Sequence, residues 1–428
     1  MASFHRRPAS GIKVIIVGAG FAGLSAAIEC DRKGHSVTLF DKAESIEELT
    51  RFGDIISFDP NGARNFERWP GVIEAMQKVA RQTSWLDLYH WKGDFVTRQS
   101  FADERKWGPR INGHRGELHG IIWGHAVDRG TIDIRLGKRV TDYFEDDDKA
   151  GVVVDGEKMY ADVVIAAEGV RSRGRKIVLG FEDRPKSSGY AVYRAWFPGE
   201  AIAGNEMLKH LVVNGDTHSG WIGPDLHFLA SSLKNGSEFN WVFTHVDDGN
   251  IEESWQFPGK VEDCLKYVEG WAPIVVEIVK STPKDARLID HKLVYREPLP
   301  TFISPKARIA LIGDAAHPFL PTSIQGASQS IEDGVVLAAC LELAGKNKVP
   351  LAVNAFEKIR YTRVHDAQAM GPKTREKWHK ANWDEVQKTP EAIHLTREAW
   401  LLNFDAESDA YQRYGGVAAD LEAARPRL

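Results

Sequence analysis

Only three cysteines occur in the chain, Cys30, Cys264 and Cys340, and no two of them form a C-x-x-C pair. That spacing excludes a disulfide framework, a redox dithiol and a cysteine-based zinc site, and it fits a reducing compartment. Scattered histidines such as His35, His119, His245 and His291 lack metal-ligand spacing, so no metal is expected. Charge of one sign is also missing: the formal net charge is -5 over 428 residues, which implies neither a nucleic-acid partner nor an acidic membrane surface. No apolar run reaches the length of a transmembrane segment; Val335 to Leu343 is broken by Glu342. The opening Met1-Ala-Ser-Phe-His-Arg-Arg-Pro has no apolar centre and does not read as a secretory signal. Internal repeats, low-complexity tracts and a G-x-S-x-G hydrolase elbow are absent. Pro426-Arg427-Leu428 resembles a small-basic-Leu peroxisomal address, but so short a match arises often by chance, and the expected location is cytoplasmic. What remains is ordinary globular composition, 43% hydrophobic and 27% charged, with length for two or three domains.

Within that composition one segment stands out. Val14-Ile-Ile-Val is a β-branched run of the kind that forms a buried parallel strand, and Gly18, Gly20 and Gly23 follow as G-x-G-x-x-G at the start of an Ala-rich helix. Gly18 permits the tight turn, Gly20 lets backbone approach a pyrophosphate, and Gly23 lets helix and sheet pack closely. The helix start directs free N–H groups and a partial positive charge at phosphates. Ser36-Val-Thr-Leu-Phe supplies the second strand, and Asp41 at its end stands about twenty residues past the glycines, where a carboxylate accepts ribose hydroxyls. Asp41 and the adjoining Lys42 complete this candidate nucleotide site.

The apolar pattern then changes character along the chain. Helical spacing is read at 72–80 and 118–127, alternation from Trp85 to Phe101, and short strands near 132–136, 151–154 and 162–167. Ala191–Phe197, Leu208–Val213, Trp221, Leu226–Leu233 and Trp241–His245 read as antiparallel strands between turn residues. Helix is expected over Val261–Val279, a buried strand at 307–312, and helices over 329–344 and 351–370. Strands near 15, 37, 164 and 309 would form one parallel sheet, interrupted by a separate antiparallel one.

A second motif, Leu311-Ile-Gly-Asp314-Ala-Ala-His317-Pro318, runs through Pro321 to Gln325-Gly326-Ala327 and on to Asp333. Its aspartate would lie at the carboxyl edge of a sheet, where ligands of α/β folds collect, and Gly326 would open a helix with free N–H groups. Together the two motifs resemble the FAD-dependent aromatic hydroxylases, the single-component flavoprotein monooxygenases that include para-hydroxybenzoate and salicylate hydroxylases. Gly53-Asp54-Ile55-Ile56 with Pro60-Asn61-Gly62 is similar to the family's segment beside the flavin. His114-Arg115-Gly116-Glu117-Leu118 resembles its H-R-x-x-L helix start, and Asp162 to Ser172 its A-D-x-x-x-x-A-D-G-x-x-S segment. The likeness covers about residues 12 to 370 and inclines toward fungal biosynthetic members.

The resemblance implies an α/β chain in which a Rossmann-type FAD-binding domain (12–80, 105–186 and 291–370) is interrupted by an antiparallel β-sheet substrate domain (81–104 and 187–290). C-terminal helices over 371–428 close it. It implies that Asp314 holds a ribitol hydroxyl, that Gly326 and Ala327 face the isoalloxazine edge, and that Gly53, Asp54 and Arg115 contact FAD. The implied activity consumes NADPH or NADH and O₂. It inserts one oxygen into an aromatic or indolic small molecule, by hydroxylation or epoxidation through a flavin C4a-hydroperoxide, in secondary-metabolite biosynthesis. Arg194, in Tyr193-Arg194-Ala195-Trp196, is the expected proton donor or hydroperoxide clamp, paired with Asp54. Trp221, Phe228, Trp241 and Phe243 are expected to roof the flavin, and His317 to hold a His-Pro corner rather than act as a base. Three positions depart from the family pattern: Glu168 stands for an aspartate linked to nicotinamide docking, Asp54 for a small residue, and Ile324 for a frequent glycine. The flavin halogenase W-x-W-x-I-P is absent, and a single G-x-G-x-x-G leaves no second Rossmann domain for the nicotinamide. The alternatives are an oxidase or dehydrogenase of the same fold, a salicylate-type catabolic hydroxylase, and a non-enzymatic FAD- or NAD-binding regulator.

Overall fold

The computed structural model describes residues 5–51, 53–247 and 257–424; the expected Pro426-Arg427-Leu428 address lies outside them. The nucleotide half is built on five parallel strands in the spatial order Ile309–Leu311, Val163–Ala166, Lys13–Val17, Ser36–Phe40 and Asp133–Arg135. The first four runs in that order are almost continuously apolar because both faces are covered, the general condition for parallel sheets. The helices Phe21–Arg32 and Gly326–Ala344 lie against each other, and Ser25 Oγ donates to the Ile331 carbonyl at 3.0 Å across the contact.

A seven-stranded sheet forms the second layer system. Its order is Arg287–Tyr295, Lys186–Pro198, Glu238–Val246, Leu226–Leu233, His218–Gly223, Trp85–His90 and Phe95–Ser100. All neighbours are antiparallel except His218–Gly223 against Trp85–His90. The strand Arg287–Tyr295 crosses position 290, so this sheet extends five residues past the expected boundary. A short antiparallel pair, Ile55–Phe58 with Ile111–His114, sits at the junction between the two halves.

Two local expectations are corrected. Leu208–Val213 is not a strand but a turn around the 3₁₀ segment Lys209–Leu211, because its buried residues, Leu208, Leu211 and Val212, recur at helical spacing. Val261–Val279 is not one helix but two, Val261–Tyr267 and Pro273–Lys280: Pro273 cannot continue a helix from behind and instead starts one at its first turn. Both helices cover the back of the seven-stranded sheet.

Candidate functional site

The three glycines of the first motif sit in different surroundings. Gly18 has φ +104°, and a Cβ there would stand 2.4 Å from the Ala167 carbonyl oxygen. A Cβ on Gly23 would be 1.8 Å from the Gly18 oxygen, so turn and helix are in contact through that position. Gly20 differs: a Cβ there meets no protein atom within 4 Å, so its open side faces away from the fold. Asp41 caps the turn, accepting from the Ala19 amide at 2.6 Å through Oδ2 and from the Ala43 amide at 2.8 Å through Oδ1. Lys42 beside it is exposed. His119 fixes the other side of the turn, 2.7 Å from the Ala19 carbonyl.

Burial drives the His119 pKa down to about 4, and those of His35 and His125 likewise. A histidine whose folded pKa is lowered stays neutral while its unfolded form takes up a proton below about 6.5. Stability is therefore expected to fall as pH drops from about 6.5 toward 4, by roughly 3 kcal/mol at most for each such ring. Thermal melts across that range check it; an unchanged melting temperature at pH 4.5 would refute the buried neutral state.

The second motif is held from behind by charge pairs. Asp333 Oδ2 accepts from the Gly313 amide at 2.9 Å and lies 2.6 Å from His317 Nε2, while Arg360 Nε reaches Asp333 Oδ1 at 2.8 Å. Arg360 also pairs with Glu332, which takes Arg363 and Asn61 as well. His317 thus acts as a brace for the loop, as its sequence context suggested. The side chain these braces present is Asp314, whose carboxyl accepts no hydrogen bond from the described residues and is pushed above the usual carboxylate range by burial, against the pull of His317 and Arg115. Arg115 behaves similarly. Its guanidinium makes no hydrogen bond to the described residues and lies over the Phe21 ring at 5.6 Å. Gly326 and Ala327 open the 19-residue helix that follows, where first-turn amides have no carbonyl partner within the helix.

Ile324, two residues earlier, adopts φ +58°, the left-handed region. A β-branched residue there costs roughly 1–2 kcal/mol, and the conformation explains why glycine suits this position. Glu168 takes Tyr143 Oη at 2.6 Å, Ser172 Oγ at 2.8 Å and the amides of Arg173 and Gly174 at 3.1 and 3.3 Å, all on one carboxylate oxygen. That oxygen secures the turn before Gly174–Leu179.

Asp54 and Arg194 meet as an ion pair between the two halves, Asp54 preceding the strand Ile55–Phe58 and Arg194 projecting from Lys186–Pro198. The backbone carbonyl of Asp54 also accepts from the Arg115 amide at 2.9 Å. The pair lines a cavity of about 170 Å³ together with His114, Trp196, Asn240 and Arg287. Gly53 touches it too, packed so closely on His114 that a Cβ would lie 1.6 Å from Nε2.

The aromatic roof is on the wrong face. Trp241 pairs with Ala195 and Phe243 with Tyr193, so both project from the side opposite Arg194. With Trp221 and Phe228 they pack against the two helices behind the sheet, and the Trp241 indole donates to Thr282 Oγ1 at 2.9 Å. The Arg194 side instead carries Val192, Val242, Leu293 and the loop residue Leu320, with Tyr190 and Tyr295 at their edge. Counting by two from Arg194 finds Tyr190, Val192 and Trp196, a signal the alternation held but did not orient.

A glycine turn open at Gly20, Asp314 and Arg115 side chains without hydrogen bonds among the described residues, and a helix start at Gly326 fit a flavin dinucleotide along one edge of the parallel sheet. The arrangement defines an FAD-binding protein. Its sequence matches the FAD binding domain family over residues 11–351, and the chain belongs to that family. Asperlicin C monooxygenase of Petromyces alliaceus is 38% identical over 425 residues, covering 96% of this chain and 90% of that one. The crystal structure of CtdE in complex with FAD and substrate 4 has a TM-score of 0.90 at 34% identity, covering 96% of this chain and 100% of that one. A salicylate hydroxylase substrate complex, at TM-score 0.78 and 22% identity, covering 97% of this chain and 99% of that one, shares the fold. The protein is an FAD-dependent monooxygenase of the fungal biosynthetic type. Among the described residues no helix is long and apolar enough to cross a membrane.

Proposed function

We propose that the protein consumes NAD(P)H and O₂ to insert one oxygen atom into an aromatic or indolic small molecule of secondary metabolism, by hydroxylation or epoxidation. The observation that carries this reading is the Arg194–Asp54 pair, a buried arginine that faces a cavity at the meeting of the two halves. Bound FAD supplies the two-electron redox chemistry and O₂ activation that side chains lack. Gly18, Gly20 and Gly23 would receive its pyrophosphate, Asp41 the adenosine ribose, and Asp314 the ribitol. The amides of Gly326 and Ala327, at a positive helix end, would face the electron-rich edge of the ring system.

Arg194 would offer N–H donors and a fixed positive charge to negative charge that develops in the cavity beside the bound cofactor. A fixed cation in a water-poor site stabilises such charge far more than water does. Asp54 orients the guanidinium by accepting from Nη1. Val192, Val242, Leu293 and Leu320 exclude water and offer an apolar wall to a flat ring. The test is a panel of salicylate-like acids, phenols and indoles, scored for accelerated NAD(P)H oxidation and for one added oxygen by mass spectrometry. Stimulated oxidation with a product sixteen mass units heavier is expected. Hydrogen peroxide with a dehydrogenated product would assign an oxidase instead.

A further inference from the structure

On the same face of the seven-stranded sheet as Arg194 lies a second, differently built group. Trp196, Asn240, Ser231 and His218 are Cα partners in one row across four strands. Over this row stands Arg81, from the loop before Trp85–His90, with its amide bonded to the Asn112 carbonyl at 2.7 Å and Nη1 to Ser231 Oγ at 3.0 Å. The side chain is buried, 5% exposed, yet among the described residues Nε and Nη2 have no hydrogen-bond partner, and neither has Nδ1 of His218.

A buried guanidinium with two idle donors is costly, and native structures keep such groups for a reason. Its charged surroundings make the cost larger. Arg110 adds a second cation, itself committed to Asp59 at 3.1 Å and stacked over Phe101. The neighbouring acid, Asp216, spends its oxygens on the amides of Gln82 and Gly236, at 2.8 and 3.2 Å. Burial beside Arg110 lowers the Arg81 pKa to about 9, and His218 is held neutral by the same burial and the same two cations. The group therefore offers positive charge and, at Nε and Nη2, N–H donors that no acceptor among the described residues takes. Strand spacing and residue rise place Ser231 about 12 Å from Arg194 across the sheet face, the length of a fused aromatic ring system. Asn240, between the two, lines the Arg194 cavity and donates to the Ser231 carbonyl at 3.2 Å.

We propose that Arg81, with His218 beside it, is a second recognition point that takes an acceptor oxygen of the substrate, a carboxylate or an amide carbonyl, at the end of the molecule remote from Arg194. The inference rests on the reading that an aromatic substrate lies along this sheet face. Substrates with an oxygen at that distance from the oxidised carbon are then held at both ends, and ring compounds lacking it are not.

The test titrates the FAD-loaded enzyme with benzoate, benzamide and toluene and follows the flavin absorbance. The parent is expected to bind at least one oxygen-bearing probe tenfold or more tightly than toluene. Benzoate leading would assign a carboxylate, and benzamide an amide carbonyl. Arg81→Met should abolish the preference, and Arg81→Lys, which keeps charge without the planar fork, should retain part of it. Arg81→Met should also melt at the parent's temperature or above, because it removes an unpaired buried charge. The proposal is overturned by a parent that prefers neither oxygen-bearing probe, by an Arg81→Met protein with the parent's preference, or by its melting several degrees lower. None of these readouts depends on turnover, so failure here leaves oxygen insertion standing, and failure of oxygen insertion leaves these binding results as they are.

Discussion

An Arg194→Met enzyme should bind FAD and oxidise NAD(P)H as the parent does, yet form oxygenated product about 100- to 1,000-fold more slowly. Reducing equivalents would leave as hydrogen peroxide instead. The expectation follows from the position of the side chain. It meets Asp54 across the junction of the two halves, in the cavity. Asp54→Asn, which keeps an acceptor oxygen but not the charge, should lose less, because it disturbs only the orientation of the guanidinium. Product quantified by mass spectrometry, peroxide by a coupled assay and melting temperature separate the outcomes. A parent-like product yield with a lowered melting temperature would reduce Arg194 to a clasp between domains and remove the central support for the proposed chemistry.

Two neighbouring glycines should fail in opposite ways. Gly23→Ala places a methyl 1.8 Å from the Gly18 oxygen, a backbone atom that cannot swing aside, so helix and turn must separate. Strain of that kind costs about 1–3 kcal/mol or more, and the protein should melt earlier with or without cofactor. Gly20→Ala meets no protein atom within 4 Å, so its apoprotein should melt with the parent. Its methyl enters the space assigned to the pyrophosphate, and FAD affinity should fall at least 100-fold, since close backbone approach is the purpose of that glycine. Flavin content after desalting and melts of the apoproteins check both. A Gly20→Ala protein that stays fully yellow would move the phosphates elsewhere.

Legibility in the sequence tracked how local the cause was. The glycine turn is dictated by backbone contact within a few residues, so spacing alone located Gly18, Gly20 and Gly23. The Gly313–Asp314 loop was equally readable because its strand, its loop and the helix starting at Gly326 are consecutive in the chain. Facing, by contrast, is a tertiary property. Alternation in Leu226–Leu233 and Glu238–Val246 shows that two faces exist, and only the register against Arg194 shows that Trp241 and Phe243 lie on the far one. Arg81 was invisible for a related reason: a lone arginine before a strand acquires meaning only when burial leaves its nitrogens unmatched. The turn at Leu208–Val213 was misread because a short apolar cluster satisfies either period over so few residues.

Asp59 sits at the base of the cofactor side of the molecule, wholly buried, and its carboxylate is clasped by Arg110 and by Arg397 through both oxygens. Arg397 arrives 338 residues later in the chain. During synthesis, therefore, the Rossmann strands and Arg110 emerge long before the second cation that clasps this acid. A nascent chain halted before position 397 would leave this carboxylate to Arg110 and Gln325, without the guanidinium that spans both of its oxygens.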